Sequence, residues 1–158
     1  MLKSWDKTAG ATVKAGLIAQ VSTVTTSING VAEQTAQNQG LIRQGYNAIV
    51  IDAGSPDALN GAVKQACDAG ITVVSFDGVV TEPCAYRVVI DYEGMGKEQI
   101  EQMAKFQPKG GNLLEIRGLA GTSIDDAIHK GITEGVAAHP EFKIVNSVTG
   151  NWDETTAQ

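Results

Sequence analysis

Apolar runs alternate with stretches of helical spacing along almost the whole chain. Leu17–Val24 (LIAQVSTV) is apolar and β-branched and predicts a strand. Residues 27–44 follow with helical periodicity that sets Ile28, Val31, Leu41 and Ile42 on one face, and Gly45 is the predicted stop. Ala48–Ile51 is a short continuous apolar run, the pattern of a strand buried on both faces of a parallel sheet. Ser55, Pro56 and Asp57 read as an N-cap, a first-position proline and a first-turn acid, opening a helix through Leu59, Val63 and Ala66 to Gly70. Ile71–Phe76 and Tyr86–Ile90 predict two more strands, with Pro83 and Cys84 in the loop between them. A helix is expected over residues 93–106, a strand over Asn112–Ile116, a helix from Thr122 to His139-Pro140, and a strand over Lys143–Val148. The first dozen residues read as the end of a helix with no strand before it, and Asp153–Gln158 as a helix that begins.

Strand followed by helix, repeated, predicts an α/β fold: a doubly wound parallel sheet with helices on both faces. Such a domain ordinarily opens on a strand and closes its sheet. The pattern at the two ends therefore leads us to expect a piece of a larger protein, lacking a first strand and a C-terminal portion.

Composition narrows the function. With 42% hydrophobic and 19% charged residues in 158, the chain is globular. A net charge of -6 without a Lys/Arg cluster leaves no footing for nucleic acid as a partner. No apolar run reaches the length that spans a bilayer, and the opening MLKSWDKTAG is too polar for a signal peptide, so the chain is either cytosolic or begins after a signal was removed. Cys67 falls late in a predicted helix and Cys84 in the loop after the next strand. On spacing alone a disulfide and a pair of unpaired thiols both stand. Two cysteines cannot supply a four-ligand zinc site, and neither a metal nor a cofactor is expected.

Ligands of open parallel sheets bind beyond the C-terminal ends of the strands. Here those ends carry Asp52, Asp77 followed by Gly78, Asp91, the turn 118–123, and Asn151-Trp152-Asp153. A carboxylate accepts two hydroxyl hydrogen bonds at once, and an indole face packs on the apolar face of a sugar ring. The set suits a neutral ligand rich in hydroxyls. Strand-end acids also cap helices: Asp52 fits either role, Asp77 precedes no predicted helix, and Asp91 reads as the cap of residues 93–106. Thr122 with Asp125 resembles a capping box, and Asp125 and Asp126 suit a helix N-terminus; two acids there speak against an anionic ligand. Catalytic patterns are missing: there is no G-x-S-x-G, no phosphate-binding G-x-x-x-x-G-K-[ST] and no H-E-x-x-H. Ser123, Asp126 and His129 share one helix, which is not the layout of a nucleophile and its base.

GYNAIVIDAGSPD (45–57), DAGITVVSFD (68–77), NLLEIRGLAGTS (112–123), residues 131–139 and GNWD (150–153) occur in the order and spacing of one family. Over residues 13–158 the chain resembles the type I periplasmic binding proteins, sugar-binding members above all. The resemblance implies two lobes that close on a carbohydrate or polyol, residues 1–90 belonging to the N-terminal lobe and 91–158 opening the C-terminal one. It implies a soluble periplasmic receptor, not an enzyme, docking on the membrane permease of an ABC-type uptake transporter. It assigns ligand contact to Asp52, Asp77, Leu119 and Trp152. Gly78 and Ile128 stand where ribose-binding members carry ligand arginines, which points away from ribose and toward Asp125 and Asp126 as substitutes. Export to an oxidising compartment implies a Cys67–Cys84 disulfide. An incomplete fold would expose apolar surface and self-associate. The competing reading is the sensor domain of a lactose-repressor-type regulator, which shares the fold but would be cytosolic and carry a helix-turn-helix.

Overall fold

The computed structural model describes residues 2–27 and 30–158, with side chains from Ser4 onward in the first helix. In chain order the elements are α1 (Leu2–Lys14), α2 (Val31–Arg43), β1 (Ala48–Ile51), α3 (Asn60–Asp68), β2 (Thr72–Phe76), β3 (Tyr86–Val88), α4 (Tyr92–Phe106), β4 (Gly111–Arg117), α5 (Ser123–Ala138) and β5 (Phe142–Thr149). All strand pairs are parallel, but they form two sheets, β1-β2-β3 and β4-β5. The predicted α/β class with parallel pairing holds; its strands are divided between these two sheets.

The first half carries the main core. Ile49 and Ile51 of β1, Val73 of β2 and Leu59, Val63 and Ala66 around α3 pack together with Val80 and Ala85. Of the predicted apolar face of α2, Val31, Leu41 and Ile42 pack against that core; Ile28 lies outside the described residues. Gly45, with φ of 75°, ends α2 by sending the next amide, Tyr46 N–H, back to the Leu41 carbonyl, and a glycine tolerates that left-handed turn. Cys67 on α3 and Cys84 in the loop after β2 are joined by a disulfide, with Cα atoms 6.4 Å apart.

Four elements differ from the sequence reading. Leu17–Val24 is not a strand: it runs outside both sheets, with Leu17 77% and Val24 48% exposed. A strand exists only with a neighbour to bond to. In a doubly wound 2-1-3-4-5 order the segment after the first helix needs a strand between itself and the next one, and none fills that place among the described residues. α3 starts at Asn60, not at Pro56. Ser55 Oγ does accept the Ala58 N–H at 3.3 Å, but the Pro56 carbonyl is taken by the Thr81 N–H at 2.8 Å and Asn60 N–H bonds Asp57 at 3.1 Å, so the first turn closes tighter than an α-helix. β3 stops at Val88, leaving Val89 and Ile90 exposed. Residues 153–158 make a single turn, with Asp153 accepting the Thr156 N–H at 2.8 Å, and no helix.

In the second half α4 lies across α5, and small residues make the contact. A Cβ on Gly96 would sit 2.4 Å from the Ile128 carbonyl oxygen, and one on Gly131 2.0 Å from that of Glu93. Asp91 caps α4 as expected, its carboxylate accepting the Gly94 N–H at 2.8 Å. Leu114 and Ile116 of β4 are 60% and 51% exposed, so one face of this sheet is uncovered by the described residues.

Candidate functional site

The carboxyl ends of β1 and β2 are tied by one loop. Asp52 follows β1, and its Oδ1 accepts the Gly78 N–H at 3.1 Å. The Gly78 carbonyl accepts the Ala53 N–H at 2.8 Å and the Ser75 hydroxyl at 3.2 Å. A Cβ at residue 78 would lie 2.5 Å from the Ala53 carbonyl oxygen and 2.8 Å from the Asp52 carboxylate. Residue 78 must therefore be glycine while the loop stays so close to β1, which explains physically why no longer side chain reaches into the site from here.

Asp77 sits between β2 and that glycine at φ of 57°, in the left-handed region. Its carboxylate accepts the Tyr92 hydroxyl. Burial first, then this hydrogen bond and the charges of Asp77 and Asp52, push the Tyr92 phenol up to about 12, so it stays a donor throughout the physiological range. Burial raises the pKa of the Asp52 carboxyl, and the nearby Asp77 adds to the rise, while the Gly78 N–H opposes it. Just before Asp77, Phe76 stacks on Trp5 of α1, ring centroids 6.4 Å apart and planes 8° from parallel.

The ends of β4 and β5 carry the remaining candidates. Gly150 N–H bonds the Arg117 carbonyl at 2.7 Å, and Asn151 N–H the Gly118 carbonyl at 3.2 Å. Asn151 and Trp152 are both left-handed, at φ of 54° and 57°. That turn lays the indole of Trp152 over Gly118, where a Cβ would come within 2.0 Å of Cζ2, and leaves the residue 58% exposed. Thr122 caps α5 by accepting the Asp125 N–H at 3.3 Å, as the capping-box spacing predicts.

Asp125 is 2% exposed and fully engaged inside the protein: Oδ1 accepts the Gly118 N–H at 2.8 Å and Oδ2 the Arg117 guanidinium at 2.5 Å. It shapes the turn that carries Trp152 and offers no free oxygen to a ligand. Asp126 is exposed and reaches the same guanidinium at 3.4 Å. Its partner Asp125 above all holds the Arg117 pKa above the ordinary range. Leu119 is half-buried, its carbonyl accepting the Thr122 hydroxyl at 2.8 Å. Of the residues singled out from sequence, the structure thus gathers Asp52, Asp77 and Gly78 on the first sheet, and Leu119, Asp125, Asp126 and Trp152 on the second.

Among the described residues, two side-chain hydrogen bonds join the two halves of the chain: Tyr92 to Asp77, and Val79 N–H to Ser123 Oγ at 3.0 Å. Neither the Tyr92–Asp77 bond nor the Trp5–Phe76 stack was legible in the sequence. Tyr92 follows the predicted helix cap Asp91, a hint of position only, and nothing local marks Trp5. His129 faces the buried Glu115 at 2.8 Å and belongs to no metal-ligating group among the described residues.

Acids and an exposed indole at the carboxyl ends of parallel strands stand where open parallel sheets bind small molecules. Residues 2–158 match the sequence profile described as "Periplasmic binding protein domain". The chain is 30% identical over 147 residues to the ribose import binding protein of Salmonella typhimurium, covering 92% of this chain and 49% of that protein. It is 29% identical over 130 residues to the xylitol-binding protein of Mycolicibacterium smegmatis, covering 82% of this chain and 37% of that protein. The crystal structure of an ABC transporter solute binding protein from Thermobispora bispora superposes with a TM-score of 0.89 at 30% identity, over 99% of this chain and 49% of that one. A Caulobacter myo-inositol binding protein bound to myo-inositol matches with a TM-score of 0.77 at 27% identity, over 81% and 44%. The chain belongs to the type I periplasmic sugar-binding protein family. It spans about half the length, or less, of the relatives it matches.

Proposed function

We propose that this chain forms one side of the ligand cleft of a periplasmic receptor that delivers a neutral carbohydrate or polyol to an ABC-type permease. The observation that carries the reading is the trio Asp77, Asn151 and Trp152: these are the positive-φ non-glycine residues among those described, and all three follow the carboxyl ends of strands. Strained backbone of this kind persists where function uses it. Asp77, with Tyr92 beside it, and Asp52 would accept ligand hydroxyls, and Trp152 would stack on the ring or carbon chain. Asp126 and Leu119 would line the far wall, with Asp125 and Gly78 holding the turns in place. The lobe boundary falls between Ile90 and Asp91, where β3 has ended and α4 begins. Relatives named for ribose and xylitol favour a transport receptor over a transcriptional sensor.

A thermal-shift screen of the natural gene product against D-ribose, D-xylose, xylitol, myo-inositol and D-allose tests this. A ligand at about a thousand times its Kd adds about 4 kcal/mol of stability, several degrees in Tm. No shift with any carbohydrate or polyol overturns the reading.

A further inference from the structure

Three consecutive amides in the loop after β2 are each held by a side chain. Gly78 N–H goes to Asp52 at 3.1 Å, Val79 N–H to Ser123 at 3.0 Å and Val80 N–H to Ser75 at 3.2 Å. Asp52 and Ser75 belong to the same sheet as the loop. Ser123 does not: it is the first residue of α5, in the other half of the chain. Its hydroxyl is also not the helix cap, because Thr122 already fills that role. A hydroxyl at the first helical position has no intrahelical duty, and this one is half-buried against a loop forty-four residues away in sequence.

We propose that Ser123 is a positioning residue of the cleft: its hydroxyl latches the 77–80 loop to α5 and sets where Asp77 stands relative to the Leu119–Trp152 wall. From its own side the loop is anchored by Asp52, Ala53, Ser75 and Val88. The other bond across the gap, from Tyr92 to Asp77, is made by a side chain on a rotatable stem. The Ser123 bond instead grips backbone, so it fixes the loop and with it the left-handed Asp77. Removing it leaves Asp77 attached but free to shift with the loop, so a ligand held from both sides loses part of its grip. This consequence for binding rests on the receptor reading above; the latch itself does not.

The test uses amide hydrogen exchange and calorimetry on the natural gene product and its Ser123→Ala and Ser123→Thr variants. Ser123→Ala should speed exchange at Val79 while Gly78 and Val80 keep their protection. It should weaken binding of whichever probe (xylitol, D-ribose or myo-inositol) the wild type binds by about 2–10-fold, the worth of one hydrogen bond, through faster dissociation. Ser123→Thr, which keeps the hydroxyl, should restore both. Unchanged Val79 exchange in Ser123→Ala would overturn the latch, and faster exchange with unaltered affinity would overturn its positioning role. If no probe binds the wild type, the sugar reading fails, and the exchange pattern alone then decides the latch.

Discussion

Asp77, Asn151 and Trp152 differ in what the left-handed conformation demands of them. Asp and Asn visit it readily because their short side chains bond the local backbone. Trp gains nothing there, and such a placement costs on the order of 1–3 kcal/mol. The overlying contact with Gly118 shows what holds it: the indole occupies the volume a side chain at 118 would need. Asp52 is exposed overall, but partial desolvation raises its carboxyl pKa against the opposing Gly78 N–H, so folding favours the protonated form slightly. The associated stability is fully present below the unfolded value of 3.8 and is lost as pH rises through the raised folded value. Asp52→Asn, whose amide oxygen can still accept the Gly78 N–H, should therefore raise Tm at neutral pH. The gain should vanish in acid and come with weaker ligand binding, measured by calorimetry beside a Tm-against-pH series. Asp52 and Asp77 were legible as candidates because they end apolar runs, and Trp152 because it sits in the polar turn that follows one. Asp125 was legible only as a helix-start acid, and its burial against Arg117 depends on two elements meeting.

At the scale of elements, α4 and α5 approach so closely that backbone touches backbone. Gly131→Ala would drive a methyl group into the Glu93 carbonyl, an atom that cannot rotate away. The helices must part, and overpacking of this kind costs about 1–3 kcal/mol, readable as a lower urea midpoint with unchanged slope. Ion pairs from the half-buried Glu93 to Lys97 and Lys130 bracket the same crossing. Most elements could be read from periodicity: β1, β2, β4 and β5 as apolar runs, α4 and α5 from their capping residues. Leu17–Val24 could not be read correctly, because its pattern is that of a strand and only the lack of a bonding neighbour denies it that state. The start of α3 was displaced by Thr81, twenty-five residues downstream of Pro56, which no window of local sequence contains.

For the whole molecule, the disulfide ties the helix side of the first sheet to the loop beyond its second strand. It spans a sequence separation of 17 residues, a loop whose closure is worth about 3 kcal/mol. The double variant Cys67→Ala/Cys84→Ala should lose about that much stability in denaturant titrations, and treatment of the wild type with a strong thiol reductant should reproduce the loss. The family was legible from five ordered motifs. The division into two sheets followed only from that likeness, since strand-helix alternation reads the same in one sheet or two. One face of β4 and the Leu17–Val24 segment are left bare by the described residues. The protein has two tryptophans, Trp5 stacked beside Phe76 and Trp152 laid over Gly118, one in each half of the chain. On the proposed receptor reading, intrinsic fluorescence is an optical gauge of the strand ends: a bound sugar should shift the emission maximum or quench it, with no dye attached. A saturating titration that leaves the spectrum unmoved would show that both indoles stand clear of the ligand.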